Sequence, residues 1–443
     1  MSEPIQYTTS ARSASGLVAE LEAAVASGRL APGQPLPSVR RIAADAGLSP
    51  ATVQAGLAEL RRRGVVVSEP RRGTRIGERP PLSAGSPAMP LPEGVRDLSH
   101  GNPDPALLPD LEAALRGCAQ PVRLYGEAPE LPELITIARA ALRADGVPAE
   151  HLCVLSGALD GIERALAAWL RPGDRVAVES PGYAPLFDLL RAQGYSLEPV
   201  AVDERGMIAA RLRAAIGRGA RAVVVTPRGQ NPTGAALDEL RAHELREVLA
   251  THPDVLLLED DHLGPVAGAP LHTLAAAGER WAATRSVSKV LGPDLRVAVL
   301  AGDETTVARL RGRQLCGPGW VSHVLQRLVA ALWGEEGLPE RIAAAERLYG
   351  ERRRALIAAL RREGLDAGGA SGLNVWLEVP DEAATVAALL ARGWAVAGGG
   401  RYKLHDRGGA IRITIAALEP ADSERLAADL AAVLAPAAAI RSG

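Results

Sequence analysis

The chain has 443 residues, a net charge of −2, and 47% hydrophobic against 23% charged residues. That length predicts two or three domains, and the composition is that of a soluble globular protein with no overall electrostatic preference. Three widely spaced cysteines (Cys118, Cys153 and Cys316) give neither a metal-binding spacing nor a disulfide framework, and no apolar run is long enough for a signal core or a membrane span. A cytoplasmic protein with no metal and no membrane partner is expected.

The first segment is basic: between residues 11 and 79 there are eleven arginines against six acidic residues. On a near-neutral chain, such a segment calls for a partner of its own, nucleic acid first. Apolar spacing predicts a helix over residues 17–27. "APGQPLPS" is a turn, and Ser38 is placed to cap a helix over Val39–Ala46. Gly47 supplies a tight turn, and Ser49 caps a further helix with Pro50 in its favoured first position, ending near residue 63. "GVVVSEPRRGTRI" reads as two strands around a turn. This order predicts a winged helix-turn-helix over residues 11–76, with its second helix in the major groove of promoter DNA. The competing reading is a small three-helix interaction domain. The basic excess and the Arg71-Arg72-Gly73 wing tip argue against it.

"GRLAPGQPLPSVRRIA" followed by "GLSPATV" resembles the DNA-binding domain of the GntR family of bacterial regulators, over about sixty residues. The resemblance implies DNA contacts from Ser38, Arg40, Ser49, Thr52 and the wing residues Arg71, Arg72 and Gly73. Pro50-Ala51 depart from the polar or basic residues often found there. Gln54, which can pair bidentately with adenine, is then the next candidate reader.

Residues 77–96, opening "GERPPLSAGSPAMPLPEG", are rich in Pro, Gly and Ser and read as a linker. Beyond it, from 97 to 443, "HLCVLSG", "DRVAVES", "ARAVVVTP" and "DVLLLED" are short apolar runs that alternate with helical stretches. They predict an α/β domain with a mainly parallel sheet. From about residue 335 a long Ala-rich helix, "SGLNVWLEV" and "AIRITIAAL" predict a smaller α+β lobe.

Within this body, "SVSKVLGPDLR" holds Lys289, one of only two lysines in the chain. The other, Lys403, reads as a solvated loop lysine. Arginine matches lysine in charge and solubility, but only lysine readily loses its proton and attacks a carbonyl to form an imine. Pyridoxal 5'-phosphate (PLP) offers such a carbonyl. It also needs a carboxylate for its ring nitrogen, a donor for its phenolic oxygen, a flat surface and a phosphate cradle. Candidates stand at strand ends, where open α/β sheets bind ligands. They are Asp260 in "VLLLEDDH" for the ring nitrogen, Asn231 in "TPRGQNPTG" for its amide, and Tyr183 in "ESPGYAPL" as the flat surface. The backbone N–H groups of Gly157 and Ala158 at a helix start suit the phosphate, with Ser286, Ser288 and Arg296 completing the cradle. Asp261 reads as a solvated turn residue.

This set resembles the fold type I aminotransferases from about residue 97 onward. The resemblance implies that Lys289 is the Schiff-base lysine and that Arg412 pairs with an amino acid's α-carboxylate. It also implies that Tyr125 reaches the phosphate of a partner subunit's cofactor in a homodimer. A GntR-like reader tethered to such a body is similar to the MocR subfamily of transcriptional regulators, whose members respond to PLP or to an amino compound that reacts with it. "DLSHGNPDPALLPDL" and "TPRGQNPTG" look closest to members linked to vitamin B6 control. His262 departs from the family's tyrosine at the position facing the phenolic oxygen, and Glu130 and Ile135 depart near the expected dimer seam. The leading expectation is a PLP-responsive regulator. The alternatives are an active aminotransferase carrying a DNA-binding domain, and a DNA-binding protein whose body only dimerises.

Overall fold

The computed structural model describes residues 11–26, 29–31, 33–62, 64–69, 73–77, 91–116, 123–404 and 408–435. The chain divides into two compact units. One comprises residues 1–89 with 171–175 and 185–197, and the other comprises the remainder.

In the reader, helices α1 (Ala14–Ala26), α2 (Val39–Ala46) and α3 (Pro50–Arg62) precede strands β1 (Val66–Glu69) and β2 (Gly73–Ile76). The boundaries follow local chemistry. Ser38 Oγ accepts from the Arg41 N–H at 3.3 Å, and Gly47 ends α2 at a left-handed φ of 63° that a side chain resists. Ser49 Oγ accepts from the Thr52 N–H at 3.1 Å, opening α3 at Pro50. Helix α1 starts at Ala14, three residues before the predicted 17; Ala14-Ser15-Gly16 carry no apolar period by which the sequence could show it. Leu17, Leu21, Ile42, Val53, Leu57, Leu60, Val66 and Ile76 close one core. β1 and β2 pair antiparallel, Val66 opposite Ile76. The proline-rich turn docks on β2: the Leu36 N–H donates to Thr74 O, and the Ile76 N–H to Gln34 O.

The body holds an eight-stranded sheet. Its spatial order is His151–Leu155, Ala298–Gly302, Trp281–Ser286, Leu256–Asp261, Ala220–Val225, Arg175–Ser180, Ser196–Asp203, Gly206–Met207. Leu256–Asp261 is parallel to both neighbours, whereas Ala298–Gly302 is antiparallel to both of its own. A five-stranded sheet runs Ala367–Gly368, Asn374–Glu378, Ala410–Thr414, Trp394–Gly398, Arg96–Leu98. The last strand comes from the N-terminal side of the body, so the C-terminal lobe is completed by residues at the linker boundary: Arg96, the last residue expected in the linker, and Asp97 and Leu98, the first expected in the body. Among the described residues no helix is long and apolar enough to cross a membrane.

Candidate functional site

The central strands end in a common cleft of about 300 Å³, the size of a small-molecule site. Lys289, Asp260, Asn231, Tyr183 and His262 line it, together with Ala158, Ser286, Ser288, Arg296 and Arg412. The turn after Trp281–Ser286 presents Lys289, whose Nζ donates to Gly101 O at 2.5 Å. Burial, then the charges of Arg412 and Arg296, lower its pKa to about 8. A neutral, nucleophilic amine is therefore accessible near neutral pH.

Asp260 lies on the buried strand Leu256–Asp261, and its Oδ1 has no hydrogen-bond partner among the described residues. Burial, then the charge of Asp261, pushes its pKa up to about 7. A buried oxygen left bare costs about 1–3 kcal/mol, and a cationic ring N–H is the group that would satisfy it.

Asp261, expected as a solvated turn residue, is instead 4% exposed. Successive strand residues face opposite ways. Asp261 meets Arg228 (Nε–Oδ1 2.9 Å) and Arg285 (Nε–Oδ2 2.6 Å), and both arginines also reach Asp145. Burial pushes its pKa up, but Arg285 and Arg228 outweigh that and hold it below the ordinary value. It is the fixed negative charge that Asp260 feels. Arg228 and Arg285, which hold it, lie 33 and 24 residues away in sequence, so nothing local to "EDDH" marks the pairing.

Around this pair, burial followed by the charge of Asp260 raises the Tyr183 hydroxyl pKa. Burial, then Lys289, lowers His262 to about 4, so its imidazole is neutral. The helix Ala158–Trp169 opens behind Gly157, whose φ of 104° suits glycine. A Cβ at Gly157 would stand 2.9 Å from Arg296 Nη2. The Ser286 and Ser288 hydroxyls are 3.0 Å apart on the neighbouring turn. A helix N-terminus, a guanidinium and two hydroxyls make an anion cradle, and glycine keeps it open.

Arg412, on the strand Ala410–Thr414, donates to Asn231 Oδ1 at 3.1 Å and to Ser99 O, and lies 5.1 Å from the Tyr402 ring centroid. Burial lowers its pKa, yet a guanidinium stays charged. The structure does not bring Tyr125 into this cleft. It is 92% exposed and meets Trp320 edge-on at 5.5 Å. Glu130 pairs with Arg311 at 2.8 Å, and Ile135 packs into the core. Lys403, expected as solvated, is half-buried, donates to Gly408 O at 3.0 Å and lies 5.8 Å from the Trp376 ring. Sequence reading missed Ser99, His100 and Gly101. Their only local signal was the run of polar and glycine residues after Leu98.

On the reader, Ser38, Arg40, Ser49 and Gln54 are exposed, and Thr52 is half-buried. Ser49 and Thr52 hydroxyls are 2.8 Å apart, so one proton of the pair stays available to a phosphate. Gly73 opens β2 at a φ of 77°. Arg71 and Arg72 lie outside the described residues.

Comparison with known proteins gives two family matches: "Bacterial regulatory proteins, gntR family" over residues 13–76 and "Aminotransferase class I and II" over residues 93–430. The vitamin B6 salvage pathway transcriptional repressor PtsJ of Salmonella typhimurium is 39% identical over 400 residues, covering 89% of this chain and 92% of that one. The pyridoxine biosynthesis transcriptional regulator PdxR of Corynebacterium glutamicum is 31% identical over 356 residues, 76% of each. The solved α-aminoadipate aminotransferase LysN of Thermus thermophilus matches with a TM-score of 0.69 at 23% identity, covering 77% of this chain and 92% of that one, which establishes the fold. The chain belongs to the MocR subfamily of GntR-family transcriptional regulators, a winged helix-turn-helix joined to an aminotransferase-like body.

Proposed function

We propose that this regulator binds PLP in the Lys289 cleft and that occupancy sets the grip of its reader on promoter DNA. The carrying observation is the unpartnered Oδ1 of buried Asp260, on the floor of a cleft that also holds a lysine of lowered pKa and an anion cradle. Bound there, PLP supplies an aldehyde and an electron-withdrawing ring. Lys289 holds the aldehyde end, Asp260 keeps the ring nitrogen protonated, and Tyr183 covers the ring face. The Gly157–Ala158 backbone with Ser286, Ser288 and Arg296 binds the phosphate. Neutral His262 and the Asn231 amide offer hydrogen bonds to the phenolic oxygen. Arg412 takes the carboxylate of an amino effector by exchanging its present acceptors.

The names of the two regulators, one of vitamin B6 salvage and one of pyridoxine biosynthesis, support a role in vitamin B6 control. Exposed Leu124, Tyr125, Leu315 and Val324, with Tyr125 edge-on to Trp320, support a homodimer in which Tyr125 meets the partner's cleft. A dimer presents two readers to paired half-sites. Ligand control is limited to the difference in ligand affinity between the gripping and releasing states.

The test is binding of the purified protein to labelled DNA from upstream of its own gene and its neighbours, with and without PLP, at fixed salt. Binding that changes with PLP in the native protein but not in Lys289→Ala is the expected result. Binding indifferent to PLP in both refutes the sensor. Repeated turnover of an amino acid and a keto acid, with no DNA bound, points to the aminotransferase instead.

A further inference from the structure

A second, smaller cavity borders the Lys289 turn. Its volume is about 190 Å³, and Val287, Val290, Leu291, Trp333 and Ile342 give it apolar walls. Val287, Val290 and Leu291 flank Lys289 on one turn, and Ser286 lines both this cavity and the cofactor cleft. A cavity of about 150 Å³ with apolar walls holds one benzene ring, so this one suits a single ring with a short substituent. Its charged lining residues are Asp145 and Arg285. They belong to the buried quartet in which Arg228 and Arg285 share Asp145 Oδ2, at 3.1 and 2.7 Å, and both meet Asp261. The quartet sums to zero charge, so an ionised ligand would bring an uncompensated charge into a buried space. Among the described residues, Asp145 Oδ1 accepts no hydrogen bond and Arg285 Nη1 donates none. An acceptor and a donor are thus left over, and a neutral hydroxyl can serve both.

We propose that this cavity is a second ligand site, which takes a neutral single-ring molecule bearing a hydroxyl and, through the shared turn, alters the hold of Lys289 on PLP. The coupling rests on the reading above that Lys289 holds PLP; the site itself does not. An amine or a carboxylate on the same ring unbalances the quartet. A purely apolar ring leaves Asp145 and Arg285 unmatched. An occupant braces Val287, Val290 and Leu291 against Trp333 and Ile342. By linkage, the ring and the cofactor then change each other's affinity by one common factor.

The test titrates full-length protein, empty and PLP-loaded, with benzyl alcohol, benzoate and benzylamine by calorimetry. Benzyl alcohol is expected to bind at one site per chain in both forms, with the two charged rings weaker by about tenfold or more. Ala141→Phe places a ring in the cavity from the helix Pro132–Ala144. It should melt like native protein yet bind no benzyl alcohol. Asp145→Asn removes one negative charge, so the order should reverse, with benzoate above benzyl alcohol. PLP affinity, read from the cofactor absorbance, should shift by about twofold or more with saturating benzyl alcohol in native protein, and not in Ala141→Phe. Benzyl alcohol binding that survives Ala141→Phe overturns the site, as does a native preference for benzoate or benzylamine, or no binding at all. If Ala141→Phe does not fold, Asp145→Asn decides, and an unchanged order overturns the site. Binding without a shift in PLP affinity overturns the coupling. If no PLP band forms while binding that depends on Ala141 persists, the PLP reading and the coupling fail and the site stands.

Discussion

Replacing Asp260 with asparagine should move two observables in opposite directions. In the empty protein the Asp260 carboxyl is shifted by burial and by Asp261 from an ordinary 3.8 to about 7. At about 1.4 kcal/mol per pH unit, ionising it in the folded state costs on the order of 4 kcal/mol relative to the unfolded chain. The raised pKa fixes the sign: the group imposes no penalty below its unfolded pKa of about 4, and stability is lost as pH rises until about 7 is passed. Asparagine cannot ionise, so empty Asp260→Asn should be more stable than native protein near pH 8, by about 2–4 kcal/mol, and the gain should vanish near pH 4. PLP binding should go the other way. A charge-assisted hydrogen bond contributes about 1.5–3 kcal/mol, so affinity should fall about 10- to 150-fold. Denaturant melts of the empty protein at both pH values and a PLP titration followed by absorbance measure the two arms. Destabilisation of the empty variant near pH 8, or undiminished PLP affinity, refutes the reasoning.

His262, held near 4 by burial and Lys289, gives the opposite pH signature. The unfolded ring protonates near 6.5 and the folded one only near 4, so the empty protein loses stability as pH falls through that window. His262→Phe should flatten this part of the acid limb in a melt series, and an unchanged limb refutes the assignment. Gly157→Ala places a Cβ 2.9 Å from Arg296 Nη2 at a φ of 104°. Backbone strain of about 1–3 kcal/mol and a filled cradle should speed loss of PLP on dialysis, whereas retention equal to native would move the phosphate elsewhere. Arg40→Ala removes an exposed cation from α2, and the salt slope of DNA binding should fall by about one with little change in sequence preference. A slope equal to native would take Arg40 off the phosphate backbone.

The reader was legible in sequence because its boundaries are written locally. Ser38, Gly47, Ser49 and Pro50 each act on backbone groups within four residues. The cleft was legible at coarser grain, because apolar runs that end in a polar residue mark the ends of buried strands, and Lys289, Asp260 and Asn231 stand at such ends. The three-residue strand Arg96–Leu98 was not legible, since it is too short for alternation to show. Nor were the partners: Gly101 lies 188 residues from Lys289, and Ser99 lies 313 from Arg412.

The tuning of Asp260 shows what this distance hides. The motif "EDDH" marks an acid at a strand end but does not say which carboxylate is paired. Asp261 keeps its charge because Arg228 and Arg285 converge on it from two other segments, with Asp145 facing both arginines. Two positive and two negative charges nearly cancel there, so the group can stay buried. Asp260, on the opposite face, meets no such arginine among the described residues, and its Oδ1 stays without a hydrogen-bond partner there. Two neighbouring aspartates thus take opposite roles, and the difference comes from which face of one strand the arginines reach.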